Sequence, residues 1–282
     1  RQHRQKTKCE EYMQNLIISF IGAGNMATSI IKGLLKENYP AKNIWATNNN
    51  LEQLNRLKNL NINLTTDNRH AVQVADIVVL AVKPQILKSV AAEIADLILE
   101  NKPLIISIAV GIGLNSLELY LLSQSLAIIR CMPNTPALIG CGATGLFANQ
   151  HCSDAQKNAA ESIFHSVGSV VWLPKEEQVD VVAALSGSGP AYFFLFMEAL
   201  EQAGIELGLS KENANLLTLQ TGLGSVRMAM KSKKSLAELR GQVTSPGGTT
   251  ERALEFFKNS NFPDIVKKSL KAAKSRAEEL AK

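Results

Sequence analysis

Two glycine-rich stretches have the residue types that hold an anion. The first is "FIGAGNMATSI", which sets Gly22, Gly24 and Ala27 in the G-x-G-x-x-G/A spacing. A glycine at the first position permits a tight turn. One at the second lets a diphosphate approach the backbone, and the amides of the following helix donate to it. The spacing alone is a weak signal. Here the apolar "LIISFIG" before it (residues 16–22) reads as a buried strand, and "MATSIIKGLLKEN" after it sets Ile30, Ile31, Leu34 and Leu35 on one helical face. Strand, glycine turn and helix together point to a bound dinucleotide. The second stretch is "QVTSPGGTTERALEFF", residues 242–257, with a proline, two glycines and two threonines before an apolar helical pattern. That composition describes a helix start with bare amides, a second place for an anion.

The second strand indicates which dinucleotide. An NAD site places Asp or Glu about 20 residues beyond the glycines, against the ribose 2′-hydroxyl. This chain has "ATNNN" there, with no acid between Glu37 and Glu52. Thr47, Asn48, Asn49 and Asn50 can donate hydrogen bonds and do not repel a 2′-phosphate. NADPH is therefore favoured over NADH, although the nearest arginine, Arg56, lies a helical turn or more beyond.

The elements that must position these groups follow from pattern. "NIWAT", "INLT" and "DIVVLAV" read as further strands, with "LEQLNRLKN" as a short helix bearing Leu51, Leu54 and Leu57. "PLIISIAVG" and "LAIIRCMP" repeat the apolar strand. Alternation of this kind predicts a doubly wound, Rossmann-like parallel sheet. Lys83 and Pro84 of "AVKPQ" fall at the carboxyl end of the fourth strand, where such folds bind ligands; a plain strand-to-helix turn would also explain Lys83. "MPNTPA" reads as a proline-stiffened loop walling the nicotinamide pocket, with Asn134 pinning the turn; a purely structural role would explain it equally. After about Pro174 the alternation stops. Residues 191–209 and 211–230 are helical and apolar on nearly every side, so they must be buried. About a hundred residues cannot enclose two such helices, and a dimer in which each subunit covers the other's is the simplest solution. Before them, "ALSGSGPAYFF" reads as a flexible loop with a serine N-cap and a proline-led helix. Neither Ser186 nor Ser188 has the flanking glycines of a G-x-S-x-G nucleophile elbow.

Composition bounds the class. The 282 residues are 46% hydrophobic and 20% charged, and no uninterrupted apolar run approaches the roughly 18 residues of a membrane span. Cys9, Cys131, Cys141 and Cys152 show no C-x-x-C spacing, which predicts neither a zinc site nor a disulfide framework, and fits a reducing compartment such as the cytoplasm. The net charge of +5 is mild and without a basic stripe, so nucleic acid is not an expected partner. Residues 1–12 read as a disordered, dispensable extension with Met13 as a natural start; their basic character leaves a transit peptide open. The domain expectation is therefore a dinucleotide-binding domain over 13–174 and a helical dimerisation and substrate domain over 175–282.

"FIGAGNMA", "AVKPQ", "MPNTPA", "ALSGSGPAY" and "VTSPGGTT", in this order and spacing, are highly specific together. The whole chain after Met13 resembles pyrroline-5-carboxylate reductase. The resemblance implies hydride reduction of the C=N bond of L-1-pyrroline-5-carboxylate to L-proline by NAD(P)H. It also implies a helical C-terminal domain interleaved with a partner's in a homodimer or larger ring. Cofactor contacts are implied at Ile21, Gly22, Ala23, Gly24, Asn25 and Met26, at Asn48, Asn49 and Asn68, at Ala81, Val82, Lys83 and Pro84, and at Ile108, Ala109 and Val110. Substrate contacts are implied at Ser245, Gly248, Thr249 and Thr250, with Glu176 as a further one.

The chemistry asks little of side chains. A protonated cyclic imine is already electrophilic and can take its proton from water, so no residue is assigned as acid or base, and no metal is expected. Two other classes stay open. One is a related reductase of the same two-domain plan, a 3-hydroxyacid dehydrogenase or another imine reductase; the hydroxyacid enzymes would need a catalytic lysine in the helical domain, where Lys211, Lys231, Lys233 and Lys234 lie in no demanding motif. A cofactor-binding protein without turnover would not need the second anion site.

Overall fold

The structure, a computed structural model, describes residues 13–280; the expected extension at 1–12 lies outside them. The described residues form two units by packing. Those up to Ser188 and from Ala273 onward make the first, and Gly189–Ala272 make the second.

The first unit is built on a sheet of β1 (Ile18–Ile21), β2 (Ile44–Thr47), β3 (Asn63–Thr65), β4 (Ile77–Leu80), β5 (Leu104–Ser107), β6 (Ile128–Met132), β7 (Gly142–Ala148) and β8 (Gly168–Trp172). Their order is β3-β2-β1-β4-β5-β6-β7-β8. Neighbours from β3 to β6 are parallel, β7 runs antiparallel to β6, and β8 is parallel to β7. Every residue of β1, β4, β5 and β6 is buried, as strands covered by helices on both faces must be. The helices are α1 (Asn25–Lys36), α2 (Leu51–Asn55), α3 (Asn68–Gln73), α4 (Pro84–Asn101), α5 (Leu114–Tyr120), α6 (Asp154–His165) and α7 (Gln178–Val182). α1 and α6 cover one face with Ile30, Ile31, Ile163 and Phe164. α3, α4 and α5 cover the other with Val72, Leu87, Ile94 and Leu117. Proline at the first position of α4 costs no hydrogen bond there and starts the helix sharply.

The doubly wound sheet is as expected, with three local differences. β7, α6 and β8 extend it over residues 142–172, for which the sequence pattern predicts no element. β7 is rich in small residues and β8 is half exposed, so neither shows an apolar run. Residues 51–59 do not form one helix: α2 stops at Asn55 and a 3₁₀ turn follows over Lys58–Leu60. Leu54 and Leu57 are buried, while Leu51 is 64% exposed, so the apolar face is too short to hold a longer helix. Residues 183–188 are not a flexible loop with a serine cap. α7 passes into a π-helical turn, Ala183–Gly187, and the chain stays helical from Gln178 to Glu206. Ser186 donates back to the Val182 carbonyl within this turn (3.1 Å).

The second unit contains α8 (Gly189–Glu206), α9 (Lys211–Lys231), α10 (Leu236–Gln242), α11 (Thr249–Asn259) and the start of α12 (Phe262–Leu280). α8 and α9 pack on each other, with Gly204 admitting Ala214 closely. Phe196, Phe257 and Phe262 form an aromatic cluster with centroids 5.4–6.3 Å apart. Yet the only buried residue of α8 is Gly189, and that of α9 is Ala214. Phe193, Phe194, Leu195, Leu216 and Leu217 are more than half exposed. The burial expected of these helices is not provided within one chain.

Gly168 begins β8 at φ +155, and a Cβ there would overlap the Gly142 carbonyl. Gly168→Ala should therefore cost about 4 kcal/mol, the range of severe backbone strain. By calorimetry this should appear as a Tm lower by about 10 °C. An unchanged Tm would contradict the approach of β7 to β8.

Candidate active site

Strand register builds the first cradle. Ile21 pairs with both Thr47 and Leu80, and Leu80 pairs with Ser107. β1, β2, β4 and β5 therefore end in one row, and the turns beyond them leave from one edge of the sheet. Among the expected cofactor positions, those turns carry residues 22–24, Asn48 and Asn49, 81–84 and 108–110. β1 lies between β2 and β4, the point where the chain switches direction across the sheet and where such folds open a crevice.

Gly22 has φ +100, and a Cβ there would sit 2.8 Å from Val82 Cγ1 and 2.9 Å from the Ala81 carbonyl carbon. Two turns thus meet with no space for a side chain. The Gly22 and Ala23 amides donate to the Thr47 carbonyl (3.2 and 2.7 Å), which ties the glycine turn to the end of β2. Gly24 is the N-cap of α1, with no side-chain cap and no atom near its Cβ position. The helix start is open, as a diphosphate requires. These residues fit a dinucleotide.

The end of β2 is a small polar network. Asn48 Nδ2 donates to Gln53 Oε1 (2.7 Å), and Asn48 Oδ1 accepts from the Asn50 amide (2.9 Å). Asn50 caps α2, and Asn49 is exposed. Asn68 is buried: its Oδ1 accepts from the Thr47 hydroxyl (2.6 Å), and its Nδ2 donates to Glu93 Oε2 (3.1 Å). Asn68 thereby anchors the strand end. Lys83 caps the start of α4 without a side-chain bond and is exposed.

The second cradle lies in the second unit, at the start of α11. Gly248 is the N-cap and provides no side-chain cap. The helix start expected to carry bare amides is not bare at Gly248, whose amide donates to the Ser245 carbonyl (3.0 Å). The preceding Gly247, at φ +72, donates to Glu251 Oε2 (2.7 Å). The turn closes on itself, and the amides of Thr249 and Thr250 stand at the first positions of α11, which no side chain caps.

Glu176 stands in the first unit. Its Oε1 accepts from the Leu114 amide and from Arg130 Nη1, each at 2.7 Å. Arg130 is 4% exposed on β6, and its other terminal nitrogen lies 3.7 Å from Asp180. Burial pushes the Asp180 carboxyl above its ordinary value, and the guanidinium opposes that shift. This cluster was missed in sequence, yet a lone arginine inside "LAIIRCMP" was the signal. Asn134 does pin its turn: Nδ2 donates to the Ser186 carbonyl (2.9 Å), and Oδ1 accepts from the Ala143 amide (2.8 Å). The thiols of Cys131 and Cys152 are pushed up by burial, which disfavours the reactive thiolate.

Residues 176–280 match the family model for pyrroline-5-carboxylate reductase dimerisation, and residues 17–111 match that for coenzyme F420-dependent NADP oxidoreductase. A pyrroline-5-carboxylate reductase of Pseudomonas aeruginosa is 49% identical over 94% of this chain and 96% of its own length. The chain belongs to the pyrroline-5-carboxylate reductase family. Among solved structures, the family's Coxiella burnetii enzyme is 48% identical with TM-score 0.90, covering 95% of this chain and 99% of its own. The Plasmodium falciparum pyrroline carboxylate reductase, solved with NADP bound, is 32% identical with TM-score 0.85 over the same shares. The family match from residue 176 and the packing division at Ser188 differ because α7 lies on β6 and β7.

A carboxylate at the end of β2 would repel a 2′-phosphate and pair with a free ribose hydroxyl. Asn48→Asp should raise KM for NADPH by about tenfold or more, the scale of a lost charged hydrogen bond, and that for NADH much less. Steady-state kinetics with both cofactors checks this. Equal effects on the two would remove Asn48 from 2′-phosphate recognition.

Proposed function

We propose that the chain reduces L-1-pyrroline-5-carboxylate to L-proline, with NADPH preferred over NADH. The observation that carries this is the presence of two open helix starts in a chain of this family. One stands at the carboxyl edge of the sheet, and the other is built by Ser245–Thr250.

NADPH, when bound, supplies the hydride that adds to the imine carbon. The chain's part is to bind and orient. Ile21–Met26 hold the diphosphate, Asn48 and Asn49 read the adenosine ribose, and Asn68 keeps that strand end in place. Ala81–Pro84 and Ile108–Val110 border the nicotinamide half. The substrate has two polar handles, a ring nitrogen and a carboxylate. Ser245, Thr249 and Thr250 take the carboxylate at the positive end of α11, and Gly248, whose own amide is bonded to Ser245, keeps the approach free of a side chain, which fixes the face of the ring that receives hydride. Water gives the ring nitrogen its proton. We place the cofactor within residues 13–174 and the substrate cradle within 175–282.

A second copy of the chain covers α8 and α9. Their exposed leucines and phenylalanines form an apolar surface too extensive for an isolated soluble subunit, and the family match names this region for dimerisation. By length and composition the run Gln178–Glu206 could also cross a membrane. We favour the homodimer over a membrane span because α9 is equally uncovered and carries Lys211, Arg227 and Lys231; the cytoplasm is the compartment we propose, and the mild net charge of +5 speaks against nucleic acid as a partner. Sedimentation should give a dimer or a multiple of one at micromolar concentration. Phe194→Asp should shift it to single chains, and a wild-type chain that sediments alone would refute this reading.

Loss of one hydrogen bond to the substrate carboxylate costs about 1.5–3 kcal/mol. Thr250→Ala and Ser245→Ala should each lower kcat/KM for the imine about ten- to a hundredfold and leave the NADPH dissociation constant nearly unchanged. A fall in Tm or oligomer affinity with unchanged kcat/KM would make the stretch a structural helix start.

A further inference from the structure

We infer that Arg130 and Glu176 are a positioning pair: the buried guanidinium fixes the Glu176 carboxylate, and that carboxylate holds the turn at 108–113 in the shape that borders the nicotinamide. This rests on the reading of Ile108–Val110 as cofactor contacts, and it gives Glu176 a role other than touching substrate.

The turn is held at three places. Its start is held by the sheet, where the Ile108 amide donates to the Leu80 carbonyl (3.2 Å) and the Ala109 amide to Ser107 Oγ (3.4 Å). Its middle is held by packing, with Val110 against Met132, Val179 and Ala183. Its end is held by charge. α5 begins at Leu114 with glycine as N-cap, no side-chain cap and no acid in its first turn. Glu176, 62 positions away in sequence, performs the capping through Oε1. A Cβ on Gly113 would lie 3.3 Å from that oxygen, so turn and carboxylate are closely packed.

The same Oε1 accepts from Arg130, whose side chain is 5% exposed among the apolar residues of β6. A buried ion pair is rarely more stabilising than apolar residues of the same volume. Its value here is orientational. Arg130 has a partner in Asp180 only at 3.7 Å, so Glu176 is the close acceptor that keeps the guanidinium paired. The oxygen is thus committed twice, and its negative charge would repel a substrate carboxylate. Displacement of the turn by about 1 Å is enough to lower turnover about a hundredfold in a hydride geometry that depends on close approach.

The test uses the full chain with Glu176→Ala, Glu176→Gln, Arg130→Met and Arg130→Lys. Steady-state kinetics is paired with hydrogen–deuterium exchange over residues 108–114, with and without NADP⁺. Glu176→Ala and Arg130→Met should lower kcat and raise KM for NADPH about tenfold, the scale of one charged hydrogen bond, with KM for the imine little changed. Exchange at 108–114 should quicken in both. Glu176→Gln, which keeps an oxygen acceptor, and Arg130→Lys should recover part of each effect, and they keep the test open if the harsher variants do not fold. A rise in KM for the imine alone would return Glu176 to substrate contact. A lower Tm with wild-type kinetics would make the pair structural only. Absence of NADP⁺ protection over 108–112 in the wild-type chain would remove the cofactor reading of this turn itself; unchanged exchange in Glu176→Ala, with that protection intact, would remove only the positioning role.

Discussion

Hydrogen-bond register between parallel strands governs the rest of this molecule. Because Ile21, Thr47, Leu80 and Ser107 lie in one row, the turns that follow them share one edge of the sheet. A slip of one residue in any pair would turn its buried side chains to the opposite face. The two buried clusters on either side of the sheet therefore enforce the alignment that the cofactor needs. Site geometry follows from core packing, without separate devices to hold each turn.

Where packing cannot reach, polar groups take over. Asn134 joins the turn after β6 to β7 and to the π-helical turn at 183–187. Thr47 and Asn68 join β2 to α3. Arg130 and Glu176 join β6 to α5. Each is buried or half-buried, and each links segments distant in sequence. In low dielectric such bonds are directional and intolerant of misplacement. The chain invests its buried polar groups in orientation, which suits a reaction whose hydride chemistry resides in the cofactor.

Most of the sheet and the first cradle were legible in sequence because each signal was local. An apolar strand, a glycine spacing and an amphipathic helix all lie within a few turns of one another in "LIISFIGAGNMATSIIKGLL". β7 and β8 were not legible. "GATGLFA" carries its information in close backbone approach, at Gly142 and Gly145, and not in hydrophobic alternation. α6 had a readable start in the capping box of Ser153 and Gln156, which pattern reading passed over. The π-helical turn at "ALSGSG" was misread because serine and glycine favour loops by local propensity. There, helical continuation and the contact of Gly187 with Met132 prevail. Arg130 inside "LAIIRCMP" signals a buried charge that needs a partner, but nothing in sequence relates it to residues 114 and 176.

The nearly bare α8 and α9 have a thermodynamic consequence. Helices that bury one residue each within their own chain gain little from folding alone. Their free energy must come from association, so it contains the logarithm of protein concentration. The sheet unit, with its own core, does not share that dependence. Dilution would loosen the helical unit before the nucleotide fold, and a single melting temperature would then describe the preparation and its concentration rather than the chain.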